Sequence, residues 1–386
     1  MSVRISGTAP TRLSDSSDMA PSTETLPDGW KREQIRTFAN IGTGDKDTQN
    51  RSPLGRYPFY VRSQKVERID SWSFDGEAVL TAGDGVGTGK VFHYIDGRFD
   101  YHQRVYRISN FRSDVSGRYF FHQFSRNFLA RIESLTAKSS VDSVRMETIA
   151  GMEILLPARA EQDLIVRATD DAEELIGTLE RLIAKKQAIK QGTMQQLLTG
   201  KTRLPGFSAP WQEVRLGDVL SVRHGRNQKD VEEAGGKYPI LATGGEIGRT
   251  NVPLYSKPSV LIGRKGTIDR PQFRSEPFWT VDTLFYTEIT ERADPKYLYY
   301  VFLRIDWRSM NEASGVPSLS SRRIEDVRVS LPVVDEQREL AAFLDDAELE
   351  IDILRNRLKK TKAIKQGMMQ ELLSGRTRLP GAESEA

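Results

Sequence analysis

The side chains able to carry chemistry are few, and their spacing does not suit catalysis. Cysteine is absent from the 386 residues, which removes disulfides, thiol nucleophiles and cysteine-held zinc together and fits a reducing cytoplasm. The four histidines, His93, His102, His122 and His224, fall at no metal-ligand spacing, so each is expected to be structural. Gly83-Asp84-Gly85-Val86-Gly87-Thr88-Gly89-Lys90 looks like a phosphate loop. The first glycine of that motif would have to stand at Asp84, however, and Lys90 is followed by Val91, not Ser or Thr. A flexible β-turn is expected there instead.

Polar loops offer more. Lys46, Gln49, Asn50 and Arg51 lie in one such stretch, and Arg226, Asn227, Gln228 and Lys229 in another. Arg, Asn, Gln and Lys are the side chains that make bidentate hydrogen bonds to guanine or adenine edges, or hold phosphates. Arg264 and Lys265 sit in a glycine-flanked turn, and Ser318 lies in the stretch from Ser314 to Ser320, facing residues 139–143 of an earlier copy. These eleven residues are the candidate DNA contacts. Polar loops are also what any solvated surface displays. What favours readout is that equivalent loops differ within one duplicated scaffold.

That duplication organises the chain. Ala188-Ile189-Lys190-Gln191-Gly192 recurs 175 residues later as Ala363-Ile364-Lys365-Gln366-Gly367, and fifteen of the nineteen positions from 188 to 206 are identical to their counterparts. Leu156-Pro157 and Glu161-Gln162 recur at the same offset. Upstream the repeat is weaker: Trp30 aligns with Trp211 and Tyr57-Pro58 with Tyr238-Pro239, 181 residues apart. The chain therefore divides into a disordered tail (1–28), a variable domain (29–156), a constant segment (157–206), a second variable domain (207–331), a second constant segment (332–381) and a short tail (382–386). Two like scaffolds with unlike surfaces imply two related but different ligands.

The constant segments carry heptad seams. Leu340, Leu344, Ala347, Ile351, Leu354 and Leu358 alternate spacings of four and three, and Ile165, Thr169, Ala172, Ile176, Leu179 and Ile183 keep the same register. Two long helices are expected, pairing as an antiparallel coiled coil with a variable domain at each end and a pseudo-two-fold axis between. Gly192 and Gly367 fall inside the pattern and could interrupt it. Lys190, Gln191, Met194, Leu197, Leu198 and their counterparts Lys365, Gln366, Met369, Leu372 and Leu373 are candidate contacts to a partner protein. The variable domains mix short β-type runs, such as residues 239–241 and 259–262, with helical patches at 119–132 and 297–308. The fold class is α+β.

Net charge is only +3, so a nucleic-acid footprint has to be local. Residues 30–156 hold 19 basic and 15 acidic side chains, residues 211–331 hold 18 and 16. No apolar run approaches the length of a membrane span, and the first thirty residues lack a signal-peptide core.

A variable domain ending in Leu-Pro and Glu-Gln, then a helix ending in Lys-Gln-Gly and Leu-Pro-Gly, resembles the specificity subunits of type I restriction-modification systems. The residues concerned are Leu156-Pro157, Glu161-Gln162 and 190–206, repeated at Leu331-Pro332, Glu336-Gln337 and 365–381; residues 211–219 look like the usual opening of a domain. The first copy departs from the second at Asp84, where the second has Lys265. The resemblance implies two target-recognition domains reading the halves of a bipartite, asymmetric DNA site. It also implies helices that hold two DNA-methyltransferase subunits, and a motor-nuclease subunit that can join. S-adenosylmethionine, ATP and Mg would be bound by those partners and none by this chain, which is not expected to be an enzyme. No Asn/Asp-Pro-Pro-aromatic methylation motif is present. Two rivals remain at this point: a chain that itself modifies DNA, and a helical scaffold whose domains bind protein.

Overall fold

The computed structural model describes residues 26–135 and 143–380. The expected tails therefore lie outside the described residues except for 26–28, as does most of the serine-rich stretch at 139–143. Pro27 is already part of the fold, its carbonyl accepting from the Trp30 amide at 3.0 Å. The chain forms two compact units: one takes in the chain up to Leu175 together with everything from Thr361 onward, and the other runs from Ile176 to Lys360. The boundaries fall inside the constant segments, not between them and the variable domains.

In the first unit, β1 (Lys31–Gln34), β2 (Asn40–Thr43), β3 (Tyr57–Tyr60), β4 (Glu67–Ile69), β5 (Phe74–Ala82), β6 (Phe92–Tyr101) and β7 (Val105–Ser109) precede α1 (Gly117–Leu135), α2 (Met146–Ala150) and β8 (Glu153–Leu156). Six strands form one sheet in the order β2-β7-β5-β6-β3-β4, and β1 pairs separately with β8. All pairs are antiparallel except β3 with the far end of β6. Phe120, Phe124 and Phe128 recur every fourth residue along α1, stack at 5.3 and 4.4 Å, and fill the core between helix and sheet.

α3 (Arg159–Leu197) then runs without a break through 39 residues, Gly192 included. In the second unit β9 (Gln212–Arg215), β10 (Leu220–Arg223), β11 (Tyr238–Ala242), β12 (Gly245–Thr250), β13 (Ser259–Gly263), β14 (Gln272–Arg274), β15 (Trp279–Thr280) and β16 (Leu284–Ile289) precede α4 (Pro295–Phe302), α5 (Ser321–Glu325), β17 (Arg328–Leu331) and α6 (Val334–Ser374). The pairing repeats that of the first unit: β10-β16-β13-β14, β12-β11-β15 and β17-β9. What the long β6 does alone, β14 and β15 divide, β15 keeping the parallel pairing to β11. Asp294 caps α4 by accepting from the Tyr297 amide at 2.8 Å, with Pro295 at the first helical position.

The seams are buried as the spacing predicts: Ile165, Thr169, Leu179 and Ile183 on α3, and Leu340, Leu344 and Ile351 on α6. Within each unit the two helices run antiparallel. In the second, Lys186 pairs with Glu350 at 2.8 Å and Lys190 with Glu348; in the first, Glu173 pairs with Lys365 at 2.6 Å. Gly367, like Gly192, leaves its helix intact. One glycine costs about 1 kcal/mol of helix propensity, less than a buried seam recovers.

The repeated residues at the end of each helix turn inward. Leu197 and Leu198 close the core of the second unit beside Leu340 and Leu344, and Leu372 and Leu373 close that of the first beside Ile165. Gly200 and Gly375, with φ near 70°, cap α3 and α6 and bring the chain against the indoles of Trp211 and Trp30. Arg203 then grips Glu336 with two hydrogen bonds of 2.6 and 2.7 Å, and Arg378 grips Glu161 at 3.0 and 2.8 Å. Gln162 and Gln337 bind backbone at the start of α1 and α4, accepting from the Ser116 and Asp294 amides. The motif that marks the repeat in sequence is thus the fastening of each unit.

Candidate nucleic-acid interface

In each unit the candidate contacts gather around one short connection, residues 101–104 in the first and 280–283 in the second. Two loops are tied to it from either side by backbone hydrogen bonds. In the second unit the Arg226 amide donates to the Thr280 carbonyl at 2.8 Å, and the Arg264 amide to the Thr283 carbonyl at 2.8 Å. In the first, the Gln103 amide donates to the Lys46 carbonyl at 2.8 Å, and the Gly83 amide to the Arg104 carbonyl at 2.9 Å.

Glycine sets where the first loop of each pair leaves the sheet. A Cβ at Gly44 would lie 2.0 Å from the Tyr101 carbonyl oxygen, and one at the equivalent Gly225 2.0 Å from that of Val281. No other residue fits such an approach, so the exit of the loop is fixed while the residues after it are free to differ.

Those residues do differ. In the first unit Asp47 caps a 3-10 turn over Thr48–Asn50, and the Asn50 side-chain oxygen accepts from the Asp47 amide at 2.7 Å. That leaves the exposed Gln49 and Arg51 and the amide nitrogen of Asn50 facing solvent, while Lys46 is half-buried against Asp45. In the second unit the backbone of Arg226 is held on both sides, its carbonyl accepting from the Trp279 indole at 2.9 Å, and its side chain is exposed. Asn227 accepts from the Lys229 amide at 3.1 Å in an Asx turn; Lys229 is exposed and Gln228 half-buried.

The second loop brings Arg264 and Lys265 together with Ser318, a meeting that the sequence does not disclose. Lys265 bridges Ser318, the Gly266 amide donates to the Pro317 carbonyl at 2.8 Å, and Arg264 donates to the Asp282 carbonyl at 3.2 Å. Its counterpart in the first unit is the turn that resembles a phosphate loop. It is a turn: a single 3-10 turn over Gly85–Gly87, with no helix following, and Asp84 bridges Ser143 as Lys265 bridges Ser318. The sequence does not show what Asp84 collects. Arg62 donates to one of its oxygens at 2.8 Å, and Arg104 donates to the other. Burial works against the Asp84 charge, but these hydrogen bonds outweigh it and hold the carboxyl below its usual range. Neither arginine stands out in sequence, because each acquires meaning only from an acid about twenty residues away.

On the helices the expected partner contacts separate into three groups. Leu197, Leu198, Leu372 and Leu373 are core residues, so they are not available to a partner. Lys190 and Lys365 are half-buried in ion pairs to the facing helix, and Met194 and Met369 pack against the cores. Gln191 and Gln366 are exposed, alongside Ile189 and Ile364, which the sequence reading passed over. Among the described residues no cluster of three or more His, Asp or Glu could hold a metal ion, and no helix is long and apolar enough to cross a membrane.

Comparison with known proteins agrees on one family. The model for the type I restriction modification DNA specificity domain matches twice, at residues 27–191 and 209–363. The chain is 23% identical to the type I restriction enzyme EcoDI specificity subunit of Escherichia coli, over 90% of this chain and 88% of that one. It is 20% identical to the MjaVIII specificity subunit of Methanocaldococcus jannaschii, over 92% and 94%. Among solved structures, the S subunit of a type I restriction-modification system from M. genitalium superimposes with a TM-score of 0.66 at 16% identity, covering 92% of this chain and 98% of that one. With both of its domains matched and the repeated sheets and helices in place, this chain belongs to the type I restriction-modification DNA specificity family.

Proposed function

We propose that the chain selects the DNA sequence for a type I restriction-modification complex, each unit reading one half of a bipartite, asymmetric site. One observation carries this reading: two equivalent loop sets, anchored at the same places by matching glycines and by backbone bonds to the same connection, present different side chains. A fold that only needed solvated loops would not keep the frame so closely and change the contents. The chain's part is recognition. Methyl transfer and cleavage, with S-adenosylmethionine, ATP and Mg, belong to partner subunits, and the complex works on DNA in the cytoplasm.

The helices support two copies of one partner. Ala188, Ile189, Gln191 and Gly192 are exposed, and so are their identical counterparts Ala363, Ile364, Gln366 and Gly367. The fold needs none of these side chains on its surface, so their identity in both copies fits two equal docking sites, one for each of two methyltransferase subunits. A motor-nuclease subunit would join that assembly.

Binding of labelled duplex by the purified complex tests the reading. Affinity is expected to fall linearly with salt on logarithmic axes for any duplex, and a duplex carrying the methylated site should compete far better than random sequence. Equal competition by both would defeat it. The isolated chain should transfer no methyl group from S-adenosylmethionine; transfer would favour a chain that modifies DNA itself.

A further inference from the structure

The glycine turn differs between the units in a compensated way. By backbone bonds and bridges, Asp84 corresponds to Lys265 and Arg104 to Thr283. Arg62 corresponds to Thr243: a side chain at Gly85 would come within 3.7 Å of the Arg62 guanidinium, and one at Gly266 within 3.7 Å of the Thr243 hydroxyl. Gly83 and Gln103 take the places of Arg264 and Asp282. Each set of five holds one net positive charge, distributed differently. In the second unit the turn itself bears the cations and Asp282 stands beside them, 4.0 Å from Arg264. In the first the turn bears the acid, and the cations reach it from β3's end and the 101–104 connection.

We infer that Arg62 and Arg104 are the base-reading pair of the first unit, directed at a guanine edge in the major groove, with Asp84 as the residue that positions them. The inference rests on the DNA reading proposed above. Asp84 is only 18% exposed, whereas Arg62 and Arg104 are 43% and 60% exposed. The acid is therefore underneath and the guanidiniums outside, each with several N–H donors beyond the one given to Asp84. Arg62 and Asp84 line a cavity of about 500 Å³ together with Thr48, Ser63, Glu67 and the turn, and Val86 projects from the turn's tip 98% exposed. Ion pairs as exposed as these contribute about 0–1 kcal/mol to folding, so stability does not account for two arginines converging on one acid. A guanidinium held in one orientation loses less freedom when it forms the two-pronged bond to guanine O6 and N7, the commonest specific contact to a base. Glutamine or asparagine would suit adenine in that role; the two side chains that converge on Asp84 are both arginine, and arginine's donors match guanine.

The test uses the complete complex and maps methylated sites genome-wide. Wild type should have a guanine in the half-site that Arg226→Ala leaves unaltered. Arg62→Lys and Arg104→Lys keep the charge and lose the fork on exposed positions. Each should slow methylation of the parental site by about ten- to a hundredfold and admit other bases at one position of that half, the other half unchanged. Asp84→Asn should relax the same position. The triple change Arg62→Thr, Asp84→Lys, Arg104→Thr keeps the net charge, moves the cation onto the turn as in the second unit, and should alter the base chosen there. No guanine in that half-site, or unchanged fidelity in all variants, would overturn the inference. So would uniform weakening on every sequence, with a salt slope lower by about one, when either arginine is neutralised as Arg62→Gln or Arg104→Gln, because that marks phosphate contacts. If the wild-type complex itself prefers no sequence, the underlying DNA reading is what has failed.

Discussion

Arg378 holds Glu161 in a two-pronged ion pair across 217 residues of chain, and Glu161 is 2% exposed. The same fork joins Arg203 to Glu336, which is 1% exposed. Removing the arginine leaves a buried carboxylate without its charge partner. Arg378→Ala should destabilise the first unit by about 2–4 kcal/mol, somewhat under the cost of breaking a fully buried pair because the arginine is about a quarter exposed. Pairing it with Glu161→Gln should recover part of the loss. Urea unfolding followed by fluorescence measures both, and an unchanged midpoint for Arg378→Ala would refute the role given to the pair.

Neighbouring residues of the repeated motif should separate folding from assembly. Leu372→Ala and Leu197→Ala remove buried leucines and should cost about 2–5 kcal/mol of stability. Ile189→Asp and Ile364→Asp change exposed side chains and should leave thermal unfolding within about 0.5 kcal/mol of wild type. Each of these two should instead remove one methyltransferase subunit from the complex, and together both. Sedimentation of the reconstituted complex gives the stoichiometry; full assembly in the double variant would move the docking surface elsewhere.

Loop exchanges should act on one half-site at a time. Arg226→Ala, Asn227→Ala and Gln228→Ala are expected to weaken recognition of one half by about 1–3 kcal/mol where a bidentate base contact is lost. Gln49→Ala and Asn50→Ala should affect only the other. Methylation rates on duplexes altered in either half distinguish them, and wild-type rates for every variant would mean these loops do not read bases.

Buried His122 makes the first unit sensitive to acid. Burial, with Arg118 and Lys365 adding, pushes its pKa down to about 4 against the opposing pull of Glu173 and Asp170. The folded state thus favours the neutral ring. The stability it contributes is complete above the unfolded value near 6.5 and is lost as pH falls toward 4, by roughly 3 kcal/mol in all. His122→Gln should flatten that part of the stability profile relative to wild type. Parallel profiles for the two proteins between pH 6.5 and 4 would contradict this.

The helices and the duplication were legible because a heptad seam and a near-identical repeat are local patterns. Both glycine positions inside the seam were misleading, since propensity is a weak term beside buried Ile183 or Ile351. The sheets were legible only in fragments: strands such as β4, three residues long, carry no periodicity. Loop positions could be read from the alignment of the copies, but not that Lys265 meets Ser318. What the sequence hid were pairings over distance. Glu161 and Arg378 both recur at the offset of 175, a sign that they are coupled, but nothing in their spacing says that they touch. Leu197 and Leu372 looked like a surface motif because repetition alone does not tell an inward face from an outward one.

The division of the chain into units has a consequence for synthesis. The second unit, Ile176 to Lys360, is one continuous stretch, whereas the first needs Leu372, Leu373 and Arg378, at and just beyond the end of α6, to finish its core. At about 5–20 residues per second, Glu161 waits roughly 10–40 seconds on the ribosome before Arg378 is made. The domain translated first is therefore the last to be completed, with an unpaired carboxylate and an open seam in the interval. A protease pulse on chains ended near residue 370 and released from the ribosome should cut the first unit while sparing the second.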